Sequence, residues 1–168
     1  MNDIKLCEIV SKKLRITDKI LDVACGEGFI VNCLAKKLNR KIVGLDVSVA
    51  GFTKAYNRCK KFEVCDLVEC IRGDAHNMEM FQDGEFDAIT IIYTLHHMNN
   101  PEIVLEEAKR ILKPDGRIII VEYIVRKRKS KCHKFVKEEV NKMLENAGFR
   151  DIIIQKLEED LILNTSRK

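Results

Sequence analysis

Short apolar runs alternate along this chain with longer stretches whose apolar residues recur at helical spacing, so it reads as strand, helix, strand, helix. An amphipathic helix opens it over residues 2–14, within an N-terminal segment 1–16. Lys19 to Ala24 predicts a strand that runs through the turn Cys25-Gly26-Glu27-Gly28 into a helix near 29–39, with Ile30, Leu34 and Leu38 on one face. A second strand, Lys41 to Asp46, is followed by Ser48 as N-cap of a helix over 49–60. A third strand near 67–72 ends at Gly73-Asp74. The run from Phe86 to Tyr93 is apolar enough to be buried on both faces, as central parallel strands are. A helix from Pro101 to Leu112 closes at Lys113-Pro114-Asp115-Gly116, and Arg117 to Val125 gives a fifth strand. A helix over 135–147 ends at Gly148, and 150–164 forms a strand pair turning at Leu157 to Asp160. Right-handed crossovers fold this order into an α/β, Rossmann-like, open and mostly parallel seven-stranded sheet, with helices on both faces and the last strand antiparallel.

Composition adds limits to that picture. The 168 residues carry a net charge of +4, with 46% hydrophobic and 33% charged side chains, the profile of one globular domain over 1–168. A chain of this length closes an ordinary core without disulfide or metal staples. Its seven cysteines make an odd set with no CxxC pair, unlike a secreted disulfide framework or a zinc ribbon, and no metal site is expected. Buried, inert thiols and a reducing, cytoplasmic setting are the expectation. The opening stretch is interrupted by charges and no apolar run approaches a bilayer span.

Open parallel sheets bind ligands beyond the carboxyl ends of their strands, which directs attention to three acidic residues there. Asp22 precedes the small-residue turn, Asp46 ends the second strand and Asp74 follows the third. Glycines at 26 and 28 let a ligand lie against bare backbone where a helix start offers unpaired N–H groups. A carboxylate at the second strand's end can accept from both hydroxyls of a ribose, and Asp74 with Ala75 can border a base. Nucleoside binding is the favoured reading. A nicotinamide dinucleotide is disfavoured, because its fingerprint has a third glycine or alanine where Val31 stands, and Asp22 would oppose a pyrophosphate.

With these residues in view, the chain resembles the class I S-adenosylmethionine-dependent methyltransferases, particularly the group that includes the ubiquinone and menaquinone biosynthesis enzymes. The matching stretches are ILDVACGEG (20–28), VGLDVS (43–48), GDA (73–75), the run FDAITIIYTLHHMNNPEIVLEEAKRILKPDGRIIIVE (86–122) and ENAGF (145–149). The resemblance implies S-adenosylmethionine as cofactor and methyl transfer to a small molecule, S-adenosylhomocysteine being the product. It implies that Asp22, Ala24, Cys25, Gly26 and Gly28 surround the methionine part, that Asp46 and Val47 meet the ribose side, that Asp74 and Ala75 meet the adenine, and that Tyr93 lies near the methionyl end. This sequence departs from the family pattern in having Ala24 for the first glycine, fewer than twenty residues before the first strand, and a short link after the fifth. The last two features point to an open acceptor site.

In-line displacement at a sulfonium needs positioning and exclusion of water more than a fixed catalytic residue. His97 is the candidate base, with Tyr93 and Glu122 beside it, and His96 is expected to pack inward against backbone. The stretch Arg126 to Lys134 holds six basic residues and no acidic one; the remainder has 24 basic against 26 acidic residues, a net −2. It emerges on the ligand-binding edge, where it reads either as a solvated loop or as a site for RNA or an acidic partner. Two alternatives to a small-molecule enzyme follow: an RNA or protein methyltransferase with an open site, and a non-catalytic cofactor-binding module needing a partner chain; the exposed edge of the site also suggests a homodimer or a partner.

Overall fold

The computed structural model describes residues 1–125 and 135–168; the basic stretch Arg126 to Lys134 lies outside the described residues. Seven strands form one sheet: β1 (Ile20–Val23), β2 (Ile42–Asp46), β3 (Val68–Arg72), β4 (Phe86–Ile92), β5 (Leu112–Tyr123), β6 (Arg150–Glu158) and β7 (Leu161–Arg167). Their order is β3-β2-β1-β4-β5-β7-β6. The first five run parallel, and β7 is antiparallel to both β5 and β6. Connections through α2 (Phe29–Leu38), α3 (Phe52–Phe62) and α4 (Pro101–Ile111) supply crossovers between parallel strands, while α1 (Asp3–Ser11) precedes the sheet and α5 (Lys137–Asn146) leads into β6.

Alternation along the strands divides the core into two layers. Leu21, Val23, Val43, Leu45, Ile89, Ile91, Ile118 and Ile120 face one way, against Val104, Leu105, Ala108 and Ile111 of α4 and Val140, Met143 and Leu144 of α5. Ile20, Ile42, Ala88, Ile119 and Val121 face the other way, against α1 and α2, with Cys59 of α3. Asp22 and Thr90, opposite each other in the β1–β4 register, fall on this second face by the same alternation. That placement buries a carboxylate among aliphatic neighbours.

Two segments differ from the sequence reading. Lys113-Pro114-Asp115-Gly116 does not simply close α4: it belongs to β5, where the pairing with β4 shifts between Phe86 and Ala88 and Asp115 adopts a φ of 60°. The helix expected over 49–60 begins as a 3₁₀ turn, Val49–Gly51, capped by Ser48 Oγ accepting from the Ala50 N–H at 3.2 Å, before α3 proper. The cysteines require a correction. Four of them form disulfides, Cys7 to Cys33 and Cys59 to Cys65, rather than standing as inert thiols. Packing of α1 on α2 brings together residues 26 positions apart, which no local spacing announces. No helix among the described residues is long and apolar enough to cross a membrane.

Candidate active site

The turn after β1 runs through left-handed backbone, which favours small residues. Ala24, Gly26 and Gly28 all have positive φ, at 57°, 53° and 67°. For alanine this region costs about 1–2 kcal/mol, a strain of the kind concentrated at functional sites. Across from the turn, a Cβ placed on Gly51 would lie 2.4 Å from the Gly26 carbonyl oxygen, so that position fixes how closely α3's start approaches the turn. Asp46 welds the two strand ends together: its Oδ2 accepts from the Gly26 N–H at 2.8 Å and its Oδ1 from the Ser48 N–H at 2.9 Å. Each of these oxygens keeps a further lone pair for a hydroxyl donor.

Two lobes meet at Ala24. The first, a cavity of about 300 Å³, is lined by Ala24, Leu45, Asp46, Val47, Gly73, Asp74, Ala75, His76, Thr94, His97, Met98 and Asn99. It is apolar along most of its wall and acidic at two points, and Val47 stands 65% exposed at its rim. Asp74 accepts from the His76 N–H at 2.9 Å and contacts the His76 ring at 2.8 Å, which together hold its carboxyl below the usual carboxylate range. Thr94 Oγ1 is buried in this wall without a hydrogen-bond partner among the described residues, an arrangement a bound polar group would relieve.

The second lobe, about 240 Å³, is lined by Asp3, Asp22, Ala24, Cys25, Glu27, Phe29, Ile30, Arg58 and Ile92. Carboxylates and one guanidinium share it, acceptors and a donor that suit a zwitterionic amino-acid end. Asp22 is only 3% exposed and accepts from Thr90 Oγ1 at 2.6 Å. Burial pushes its carboxyl up to about 7; the Thr90 hydrogen bond opposes this and the charge of Asp46 adds to it. Arg58 donates to the Glu27 carbonyl at 2.6 Å and lies over the Phe29 ring, while Lys54 pairs with the Glu27 carboxylate.

At the end of β4, a 3₁₀ turn (Leu95–His97) carries the two histidines. His96 Nδ1 contacts Glu122 Oε1 at 2.6 Å, and the same carboxylate accepts the His96 N–H at 3.2 Å and the Tyr123 N–H at 2.7 Å. Glu122 is 0% exposed and touches the cavity-lining His96. The exposed His97 packs its ring 4.0 Å from that of His96. Both histidines line a third cavity of about 510 Å³, with Met98, Asn99, Pro101, Glu102 and Phe135. His97, Met98 and Asn99 are common to this cavity and to the first lobe.

The fold therefore brings Asp22, Ala24 and Cys25 to one lobe and Ala24, Asp46, Val47, Asp74, Ala75 and His97 to the other, with Gly26 and Gly28 shaping the turn between them. Tyr93 sits between two lining residues, Ile92 and Thr94, at a φ of 60°, but its ring stacks on Tyr123 at 4.8 Å. Burial, with Tyr123 next, raises its phenol well above the ordinary value. Sequence reasoning missed Thr90, Thr94, Arg58 and Asp3. Thr90 was reachable, since it occupies the β4 position that pairs with Asp22 once the strands are aligned; Arg58 and Asp3 carry no signal beyond lying on amphipathic helices.

The family model described as a methyltransferase domain matches residues 21–120 of this chain. The demethylmenaquinone methyltransferase of Thermotoga maritima is 37% identical over 108 residues, which are 64% of this chain and 44% of that protein. The chain thus spans about half the length of the curated relatives it matches. Among solved structures, a SAM dependent methyltransferase from Aquifex aeolicus superposes with a TM-score of 0.81 at 24% identity, covering 96% of this chain and 88% of that one. The cyclase SpnF gives 0.82 at 20% identity, covering 98% and 80%. At such identities the structural likeness establishes the fold.

Proposed function

Since this chain belongs to the methyltransferase-domain family, we propose that it binds S-adenosylmethionine across the two lobes and transfers its methyl group to a small-molecule acceptor. The observation that carries the reading is the pairing of an apolar lobe, holding two carboxylates and a threonine hydroxyl with no hydrogen-bond partner among the described residues, with a charged lobe suited to a zwitterion. A nucleoside joined to an amino acid has those two ends. Asp46 would take the ribose hydroxyls, Asp74 and Ala75 the base edge, and Val47 would cover the base from the rim. In the second lobe Asp22 would take the ammonium and Arg58 the carboxylate. The turn from Ala24 to Gly28, with Cys25 at its core and Tyr93 behind it, would hold the chain between the ends.

When bound, S-adenosylmethionine supplies a sulfonium-activated methyl to a nucleophile. The protein's part is to hold the acceptor in line and dry, which can lower the barrier by about 7–11 kcal/mol in favourable cases. His97 lines both the third cavity and the nucleoside lobe, so it is the residue proposed to take a proton from an acceptor seated in that cavity. Glu122 acts as a positioning residue, fixing His96 and through ring packing the face His97 presents. The relatives named for demethylmenaquinone and rifamycin-type substrates support a small-molecule acceptor. A cytoplasmic location belongs to the same reading. The two disulfides weigh against it, because cytosolic proteins seldom keep them, and a thiol count on protein trapped with an alkylating agent at lysis decides between the two.

Calorimetric titration tests the cofactor. S-adenosylmethionine and S-adenosylhomocysteine should bind, NAD should not, and Asp46→Ala should remove binding. Binding of NAD, or equal binding by the variant, would overturn the reading.

A further inference from the structure

Cys25 and Cys70 are a second kind of cysteine pair: both are free, and both pack into the core layer on the same face of the sheet. The contact exists because of a missing side chain. Gly44 of β2 pairs directly with Cys70 of β3, and a Cβ on Gly44 would lie 2.7 Å from Cys25 Sγ. The sulfur of the turn residue therefore occupies the space that Gly44 leaves, beside the strand position that Cys70 pairs with. Cys25 is buried, whereas Cys70 is half-buried on the edge strand of the sheet.

We propose that Cys25 and Cys70 form a reversible disulfide that couples thiol oxidation to cofactor binding, a reading that rests on the cofactor site assigned above. The chemistry is thiol–disulfide exchange with a low-molecular-weight disulfide such as oxidised glutathione. Cys70 thiolate attacks one sulfur of the oxidant and releases a glutathione thiolate, which takes up the proton Cys70 has lost. Cys25, deprotonating, then attacks the mixed disulfide at Cys70 and releases the second glutathione. The two protein thiols lose two electrons, one disulfide bond forms, and one oxidant disulfide is reduced to two thiols.

The roles follow from the environment. The Cys25 S–H directed at Cys70 holds the Cys70 thiol below its ordinary range and raises that of Cys25, with burial adding to the latter. The less buried thiol, with increased thiolate character, is the attacking group, and its buried neighbour is the resolving one. The consequence lies in the turn. Cys25 donates its N–H to the Leu45 carbonyl at 3.0 Å and accepts the Gly28 N–H at 2.8 Å, and it is followed by Gly26, whose N–H is held by Asp46. Drawing Cys25 Sγ into a bond with β3 pulls on the segment that joins the two lobes.

The experiment incubates wild type and Cys70→Ser with oxidised glutathione, maps disulfide-linked peptides by mass spectrometry and titrates each protein with S-adenosylhomocysteine before and after. A Cys25–Cys70 linked peptide should form in wild type, affinity should fall about tenfold or more, and dithiothreitol should restore it. Cys70→Ser, which retains the other two disulfides, should bind equally in both states; Cys70→Ala serves the same purpose if serine perturbs folding. Absence of the linked peptide, oxidised wild type that binds as tightly as reduced, or an equal loss in the variant would overturn the proposal. Failure of the cofactor reading would look different: reduced wild type would not bind at all, while the linked peptide still reports on the pair.

Discussion

Replacing Asp22 by asparagine should remove a loss of stability that grows as pH rises to neutrality, and should weaken the cofactor site. In the wild type the carboxyl lies on the α1–α2 face of the sheet, and its value of about 7 stands against an ordinary 3.8. The folded protein therefore retains a proton that the unfolded chain gives up. Stability from this group is complete below the ordinary value and is lost as pH rises to about 7. At 1.36 kcal/mol per unit, the loss reaches about 2 kcal/mol near pH 5.5 and about 4 kcal/mol above pH 7. Asparagine keeps the oxygen that accepts from Thr90 and has no charge to lose, so its stability lacks this slope. Any pH-independent cost of placing the amide N–H₂ in the site cancels when the wild-type-to-variant gap is compared between pH values.

Denaturant unfolding of both proteins across pH 4 to 8.5 measures that gap directly. It should widen in the variant's favour by several kcal/mol from the lowest pH to neutrality and then level off. The same carboxylate should make cofactor binding release a proton below pH 7, detectable as a buffer-dependent calorimetric enthalpy, and the variant should lose that release along with affinity. A gap that stays constant with pH would refute the claim that burial governs Asp22.

The other predictions concern the turn and the histidines. Gly51→Ala should cost about 1–3 kcal/mol and abolish cofactor binding, since the new Cβ would press on Gly26 backbone atoms that have no rotamer to escape into; chemical unfolding and calorimetry check both effects. Ala24→Gly removes about 1–2 kcal/mol of left-handed strain and adds about 0.5–1 kcal/mol of unfolded-chain entropy, so the denaturation midpoint should hold or rise, whereas a fall would show that φ is not the limiting feature. His97→Ala should lower turnover on an accepted substrate far more than it lowers S-adenosylhomocysteine affinity. Glu122→Gln should shift the pH dependence of turnover while leaving cofactor affinity intact; an unchanged pH profile would reduce the residue to a structural role.

What the sequence determined by itself was everything that depends on near neighbours. Alternating apolar runs and helical spacing specified the elements in order, because a strand or an amphipathic helix is dictated by where its own apolar residues point. Crossover handedness then carried the strand ends to one edge, so Asp22, Asp46 and Asp74 could be grouped before any contact was known. The turn from Ala24 to Gly28 was legible for the same reason, as a local requirement for small residues. Tertiary structure decided whatever depends on which face meets which. Alternation places Asp22 on the same side as Ile20, but only the packing of α1 and α2 on that side makes the site dry and raises its carboxyl. Glu122 could be named as a candidate, yet its attachment to His96 required the end of β4 to lie beside β5. The cysteines show the division most plainly. Spacing suggested unconnected thiols, while helix packing joined Cys7 to Cys33, and the space left by Gly44 brought Cys25 to Cys70. Such contacts arise from surfaces meeting across the fold, and no local pattern along the chain encodes them.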